Sequence, residues 1–382
     1  MKKVLMGTSA LVALGAMAAS PAAAEDPIKL SVGGYWQQVT TFVSVNELAG
    51  APNFLPVNVR QEGEIHFKGE TTLDNGLTVG VQVQLEGVTQ SDQIDESYMY
   101  FSGDWGRMIL GAENSAPYLM QYSAPSVAWG VNSPNFMFFP SVLATTTFIN
   151  GVSDANKITY FSPRFGGFQF GVSYTPNADA RGGDRQTFGL NTDDNPGSDK
   201  NWISIGANFV DNFNGVDVAI AGGYERGSSE EDNVTTVTPV GPFTLNTVTG
   251  VITPTSTTTT VTKVFDNRQI WSLGANFGFA GFTVGGSYYH DNNGLQGKFD
   301  TDTWDVGGSY STGPWGISIT YLRSETEAGT SNTLDHDHGE LGVSYALGPG
   351  ITVAGALQYW KEDYIVEDSD GWGGGIGTKI SF

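Results

Sequence analysis

The sequence has no cysteine, so no disulfide frames the chain and no thiol can serve as nucleophile or metal ligand. Cations are scarce: 18 Lys and Arg stand against 40 Asp and Glu, a net charge of -22. Without clustered Lys and Arg there is nothing to grip phosphates, which argues against nucleic acid as a partner. With only four histidines and no Gly-x-Ser-x-Gly elbow, the usual parts of a hydrolase are missing too. No apolar run beyond the first residues reaches the ~18 needed for a membrane helix. The last absence is local. From Asn114 to Ser153 there is no Asp, Glu, Lys, Arg or His.

Residues 1–24 have the pattern of a secretory signal peptide. Lys2 and Lys3 form its basic start, Val4 to Ala19 its apolar stretch, and Ala22, Ala23 and Ala24 a small-residue cleavage site before Glu25. Residues 25–382 then form a single exported domain. Across them, apolar and polar residues alternate with period two. Leu30, Val32, Gly34 and Trp36 open the pattern. In the next segment Ile65 and Phe67 take one face, and Glu62, Glu64, His66, Lys68 and Glu70 take the other. After the tight-turn signal Asp74-Asn75-Gly76, Leu77, Val79, Val81, Val83 and Leu85 alternate with Thr78, Gly80, Gln82, Gln84 and Glu86.

The alternation continues to the end of the chain in about sixteen strands of roughly ten residues, joined alternately by tight turns and long loops. The long connections include Val39–Val59, Glu113–Asn156, Glu225–Asn267, Thr326–His338 and Asp363–Trp372. Tandem β-sandwiches would show linkers between domains, and a solenoid would show a fixed short repeat; neither is present. The expected fold is all-β: a transmembrane antiparallel β-barrel with apolar residues facing lipid and polar ones facing water. Aromatic girdles are expected at both rims, with Phe168, Phe282 and Trp315 near the turns and Tyr174, Trp304 and Tyr310 near the loops.

The uncharged stretch 114–153 carries Tyr118, Tyr122, Trp129, Phe136, Phe138, Phe139 and Phe148, broken by Pro117, Pro125, Pro134 and Pro140. Those prolines forbid one long helix or a central strand. So long and aromatic a loop is expected to fold into the barrel mouth and constrict it.

Several segments resemble the general-diffusion porins of alphaproteobacteria. They are Asp95-Glu96-Ser97-Tyr98-Met99-Tyr100-Phe101-Ser102-Gly103 leading into Gly106-Arg107-Met108-Ile109-Leu110-Gly111, then Ile158-Thr159-Tyr160-Phe161-Ser162-Pro163-Arg164-Phe165-Gly166-Gly167-Phe168, and the terminal Phe382. The resemblance implies a sixteen-stranded homotrimer in the bacterial outer membrane, in contact with the lipid bilayer and lipopolysaccharide. It also implies that the third extracellular loop forms the eyelet, and that Phe382 is read by the barrel-assembly machinery. One departure stands out. Many such porins carry carboxylates on this loop facing a basic wall, and here the loop has no charge, so ion selectivity does not carry over.

With apolar faces outward, the expected pore lining is Glu62, Glu64, His66, Lys68, Gln82, Gln84, Glu86, Tyr98, Tyr100, Arg107, Glu113 and Lys157. Arg107 and Lys157 bracket the loop and are expected at the eyelet. The expected function is passive diffusion of small hydrophilic solutes and ions, without a cofactor. The alternative is a substrate-selective porin whose aromatic loop guides sugars or less polar solutes. An enzyme lacks its nucleophile and base, and a purely structural barrel would not need the infolded loop. Acidic loop segments Asp193-Asp194, Glu230-Glu231-Asp232 and Asp335-His336-Asp337-His338 are candidate Ca²⁺ or Mg²⁺ ligands, though without EF-hand spacing. Thr-rich Asn246–Val264 is expected to be a long polar loop.

Overall fold

The structure, a computed structural model, describes residues 27–46, 54–88, 93–133, 138–139, 141, 143, 145–181, 199–229, 233–245, 252–263, 265–329, 332–364 and 368–382. The signal segment and Phe136 lie outside these residues. Alternating side chains make each segment a strand, and each tight turn returns the chain antiparallel to the strand before it. The first strands are β1 (Lys29–Val45), β2 (Val57–Thr72), β3 (Thr78–Glu86), β4 (Ile94–Gly103) and β5 (Gly106–Ala112). A single helical turn, α1 (Ala116–Met120), precedes β6 (Asn156–Phe161), β7 (Phe168–Asn177), β8 (Asp199–Phe213) and β9 (Val216–Ser229). Then come β10 (Asn233–Leu245), β11 (Ile252–Lys263), β12 (Gln269–Phe279), β13 (Phe282–Asp291) and β14 (Thr301–Thr312). The chain ends with β15 (Trp315–Glu327), β16 (Thr333–Gly348), β17 (Ile351–Asp363) and β18 (Asp368–Ser381).

Sixteen of these strands close one antiparallel barrel; β10 and β11 pair only with each other, and β9 pairs with β12 across them. Closure joins the chain ends: Tyr35 lies opposite Ser381, and Gly34 and Phe382 exchange backbone hydrogen bonds of 3.0 and 3.1 Å. The start of β1, the end of β18 and the tight turns therefore share one rim. At that rim Asn214 and Gly215, with φ of 53° and 91°, form the two-residue turn whose twist matches the flanking strands.

Most large apolar side chains of the strands point outward. Leu30, Ile319 and Leu357 are 86, 66 and 58% exposed, which water would not tolerate over a whole barrel but hydrocarbon does. Aromatic pairs ring both rims: Phe168–Phe209 and Trp315–Tyr345 on the turn side, Trp304–Tyr321 and Tyr359–Trp372 on the loop side. Tyr310, expected near the loops, belongs to the turn side, because the register sets it opposite Phe282, with ring centres 4.3 Å apart.

Strands extend further than the alternation alone suggests. β1 continues to Val45, β16 begins at Thr333 and β18 at Asp368, all inside expected loops. Beyond the lipid neither face must be apolar, so the period fades while the hydrogen-bond ladder persists. The Thr-rich segment likewise contributes β11 to an antiparallel pair instead of remaining loop. The wall is also uneven: β5 and β6 have 7 and 6 residues, while β8 and β16 have 15 and 16.

Candidate functional site

Among the described residues the interior has no single core. Its small apolar clusters form where the segment after β5 presses on the wall, as with Ile149, Val152, Trp202 and Ile270, or Phe139 and Trp360. The described residues of this segment lie inside the barrel, against the wall from β7 round to β18, and two features of the wall hold them there.

The first is a track of small residues. On inward positions, Gly206 and Gly223 lie under Pro117, Gly307 under Ala124, Gly342 under Ala128, and Gly373 and Gly375 under Phe138. A Cβ on Gly274 would fall 1.9 Å from the Tyr122 carbonyl oxygen. Glycine inside a strand marks close backbone approach, and here it lets the loop lie against the sheet.

The second is a set of buried carboxylates that accept from the loop. Glu225 Oε2 accepts from Gly151 N at 2.9 Å. Asp305 accepts from Ala124 N at 3.1 Å, Thr147 Oγ1 at 3.0 Å and Asn132 Nδ2. Glu340 Oε1 accepts from Gly130 N at 2.7 Å and Ser126 Oγ at 3.1 Å. Glu362 accepts from Ser141 Oγ, and Gln358 Oε1 from Phe138 N at 2.9 Å. Hydrogen bonds from otherwise orphaned amides and hydroxyls explain how a loop without charge docks on an acidic wall.

Between the loop and β2–β5 remains a polar cavity of about 880 Å³. Of the expected lining, Glu62, Glu64, His66, Lys68, Gln82, Gln84, Glu86, Tyr98, Tyr100, Arg107 and Glu113 all border it, joined by Tyr35, Glu70, Asp95 and Glu96. Lys157 does not. It is 3% exposed, and its Nζ donates to the carbonyls of Ser153 (2.8 Å), Ala155 (2.6 Å) and Glu113. It faces inward but meets the neck of the loop, tying the two ends together instead of facing the eyelet.

The lining is densely hydrogen-bonded. Tyr35 donates to Glu62 at 2.7 Å and Glu64 at 2.5 Å, and a His66 nitrogen lies 2.7 Å from Glu64. Tyr100 donates to Glu70 at 2.5 Å, and Lys68 pairs with Glu70 at 2.9 Å. Among the cavity residues that are not buried are five carboxylates, Glu62, Glu64, Glu70, Glu86 and Asp95, and one permanent cation, Lys68; buried Arg107 also acts on Glu70, and Lys379 on Glu64.

The loop aromatics divide between wall and lumen. Phe138 packs beside Val39 and Ala356, and Phe139 stacks on Trp360 with centres 4.2 Å apart. Tyr118, Trp129 and Phe148 instead border a second cavity, and Tyr122 is half-buried along the wall. Burial, with Asp154 and Glu96 nearby, pushes the Tyr118 phenol up to about 12, so this surface stays uncharged.

Of the candidate cation ligands, residues 193–194 and 230–232 lie outside the described residues. Asp335 and Asp337 pair with Arg323 at 2.7 and 3.0 Å, while His336 and His338 are buried inside the barrel; all four belong to β16, not to a loop. The buried acids that anchor the loop were missed in the sequence. Their one signal is a lone acid at an inward position, as in Trp304-Asp305-Val306 or Gly339-Glu340-Leu341.

A closed barrel that is apolar outside and polar and hollow inside, narrowed by an internal loop, is an outer-membrane channel. The model of the Gram-negative porin family matches residues 8–363. The chain belongs to that family. An uncharacterised protein of Rickettsia bellii is 24% identical and one of Rickettsia prowazekii 22%, each over the full length of both chains. An anion-selective porin from Comamonas acidovorans shares the fold with TM-score 0.58 at 17% identity, over 93% of this chain and all of the other. A mutant porin of Rh. blastica does so with TM-score 0.55 at 16% identity, again over 93% and 100%.

Proposed function

We propose that the protein lets small hydrophilic solutes and ions diffuse passively through its lumen and that it favours cations. The observation that carries the preference is the lining, where five unburied carboxylates stand against Lys68. Overall acidity is weaker support, because Glu225, Asp305, Glu340 and Glu362 are taken up in holding the loop. In the narrow space beside the loop, fixed charge acts within a Debye length of about 8 Å, so physiological salt does not erase it. Catalysis, cofactor and energy input have no part in this work. The mature chain begins after a leader cut near Ala24 and sits among lipid and lipopolysaccharide as a homotrimer.

Flux into proteoliposomes tests the charge preference. Lysine should enter faster than glutamate, with glutamine between them; equal rates or the reverse order would remove it. The aromatic cavity favours a second reading, a porin selective for sugars or less polar solutes. Saturable glucose uptake in the same vesicles would favour that reading over free diffusion.

A further inference from the structure

We infer that the lumen favours small organic cations, alkylammonium ions carrying an apolar body, beyond what their mobility in water predicts. The inference rests on the cation-preferring reading above and adds a solute class to it.

Beside the main cavity lies the second, of about 390 Å³, bounded by Tyr118, Trp129 and Phe148 of the loop and by Glu62 and Lys379 of the wall. That volume falls in the ~300–1,000 Å³ range of small-molecule sites. One boundary carries Glu62 beside Lys379 and the other is aromatic, and the loop brings no charge of its own. An ammonium group gains from both, by attraction to the carboxylate and to the negative face of the rings. A hydrated K⁺ gains mainly from the first, a sugar mainly from the second, and an organic anion is repelled by Glu62.

The barrel already uses this arrangement on its own side chains. Lys379 Nζ lies 4.7 Å from the Tyr35 ring centre, and the Tyr35 hydroxyl is held by Glu62 and Glu64. Arg107 lies 4.5 Å and Lys68 5.7 Å from the Tyr100 ring centre, and that hydroxyl is held by Glu70. In each case a cation rests on an aromatic face tied to a carboxylate. The loop rings bordering the second cavity offer a comparable surface to a passing solute. Lys379, on the same wall, rests on the Tyr35 ring and acts on Glu64 of the main cavity as well.

Bi-ionic reversal potentials in planar bilayers, with KCl on one side and tetramethylammonium chloride on the other, test the inference. The permeability of tetramethylammonium relative to K⁺ should exceed the ratio of their aqueous mobilities. Trp129→Leu and Phe148→Leu should each lower it about two- to fivefold, the factor expected of a partly hydrated cation–π contact. Trp129→Tyr should restore most of the loss, and the preference for K⁺ over Cl⁻ should stay unchanged because no carboxylate is touched. A wild-type ratio at or below the mobility ratio, or one indifferent to both leucine variants, overturns the inference and leaves the cation channel standing. Anion preference in plain KCl would sink the underlying reading and the inference with it.

Discussion

Arg107 and Lys157 share one sequence pattern, a cation at an inward strand position beside the constricting loop, yet their surroundings give them different work. Arg107 lies over Tyr100 and borders the main cavity, so its charge opposes cations passing there. Arg107→Gln should raise the permeability ratio of K⁺ to Cl⁻ by up to about sevenfold, since a unit charge ~7 Å away in water shifts each ion by about threefold in opposite directions. Lys157 is enclosed by the carbonyls of Glu113, Ser153 and Ala155. Lys157→Gln should leave the reversal potential in place and loosen the neck of the loop by about 1–3 kcal/mol, since it strands buried acceptors. Single-channel recording separates the two: noisier current for Lys157→Gln, a shifted reversal potential for Arg107→Gln. The opposite assignment would contradict these roles. Spacing placed both side chains on the inner face, but only the three carbonyls decide which one the lumen sees.

The loop is held by shape as much as by hydrogen bonds. At Gly274 even one added carbon would collide with the Tyr122 carbonyl, whereas at Gly308 an added carbon would meet Val284 and the Thr283 carbonyl at an ordinary 3.6 and 3.7 Å. Gly274→Val should therefore force the loop off β12 toward the lumen, at a cost of about 1–3 kcal/mol, and lower single-channel conductance. Gly308→Ala should leave conductance unchanged; equal effects would mean that the loop does not rest on the sheet. The barrel strands were legible because lipid outside and water inside impose a strict period of two, as in Leu77 to Glu86. The infolded loop was legible because 114–153 is aromatic and uncharged. Its path was not. Gly274 and Asp305 are ordinary inward-facing residues until the backbone that comes to lie on them, distant in sequence, is known. The same limit applied to His336 and His338, whose acidic neighbours suggested a loop although they are the buried inner face of β16.

Across the whole molecule the wall is uneven. At about 3.4 Å per residue, β5 and β6 cover roughly 20–24 Å before tilt, less than a membrane band about 25 Å tall requires. β3, β4 and β6 expose Val81, Met99 and Ile158 along the same low stretch. Other copies of the chain packed there would cover it, so light scattering in detergent should give three chains per particle; a monodisperse monomer would remove the trimer from the proposal. The central claim is simpler: apolar side chains face lipid, and the water column inside is lined on balance by negative charge. Its most direct test is the reversal potential of the purified protein in a planar bilayer under a KCl gradient. A potential of the sign that favours K⁺ is the expected result, and either no conductance or a potential favouring Cl⁻ would contradict the account.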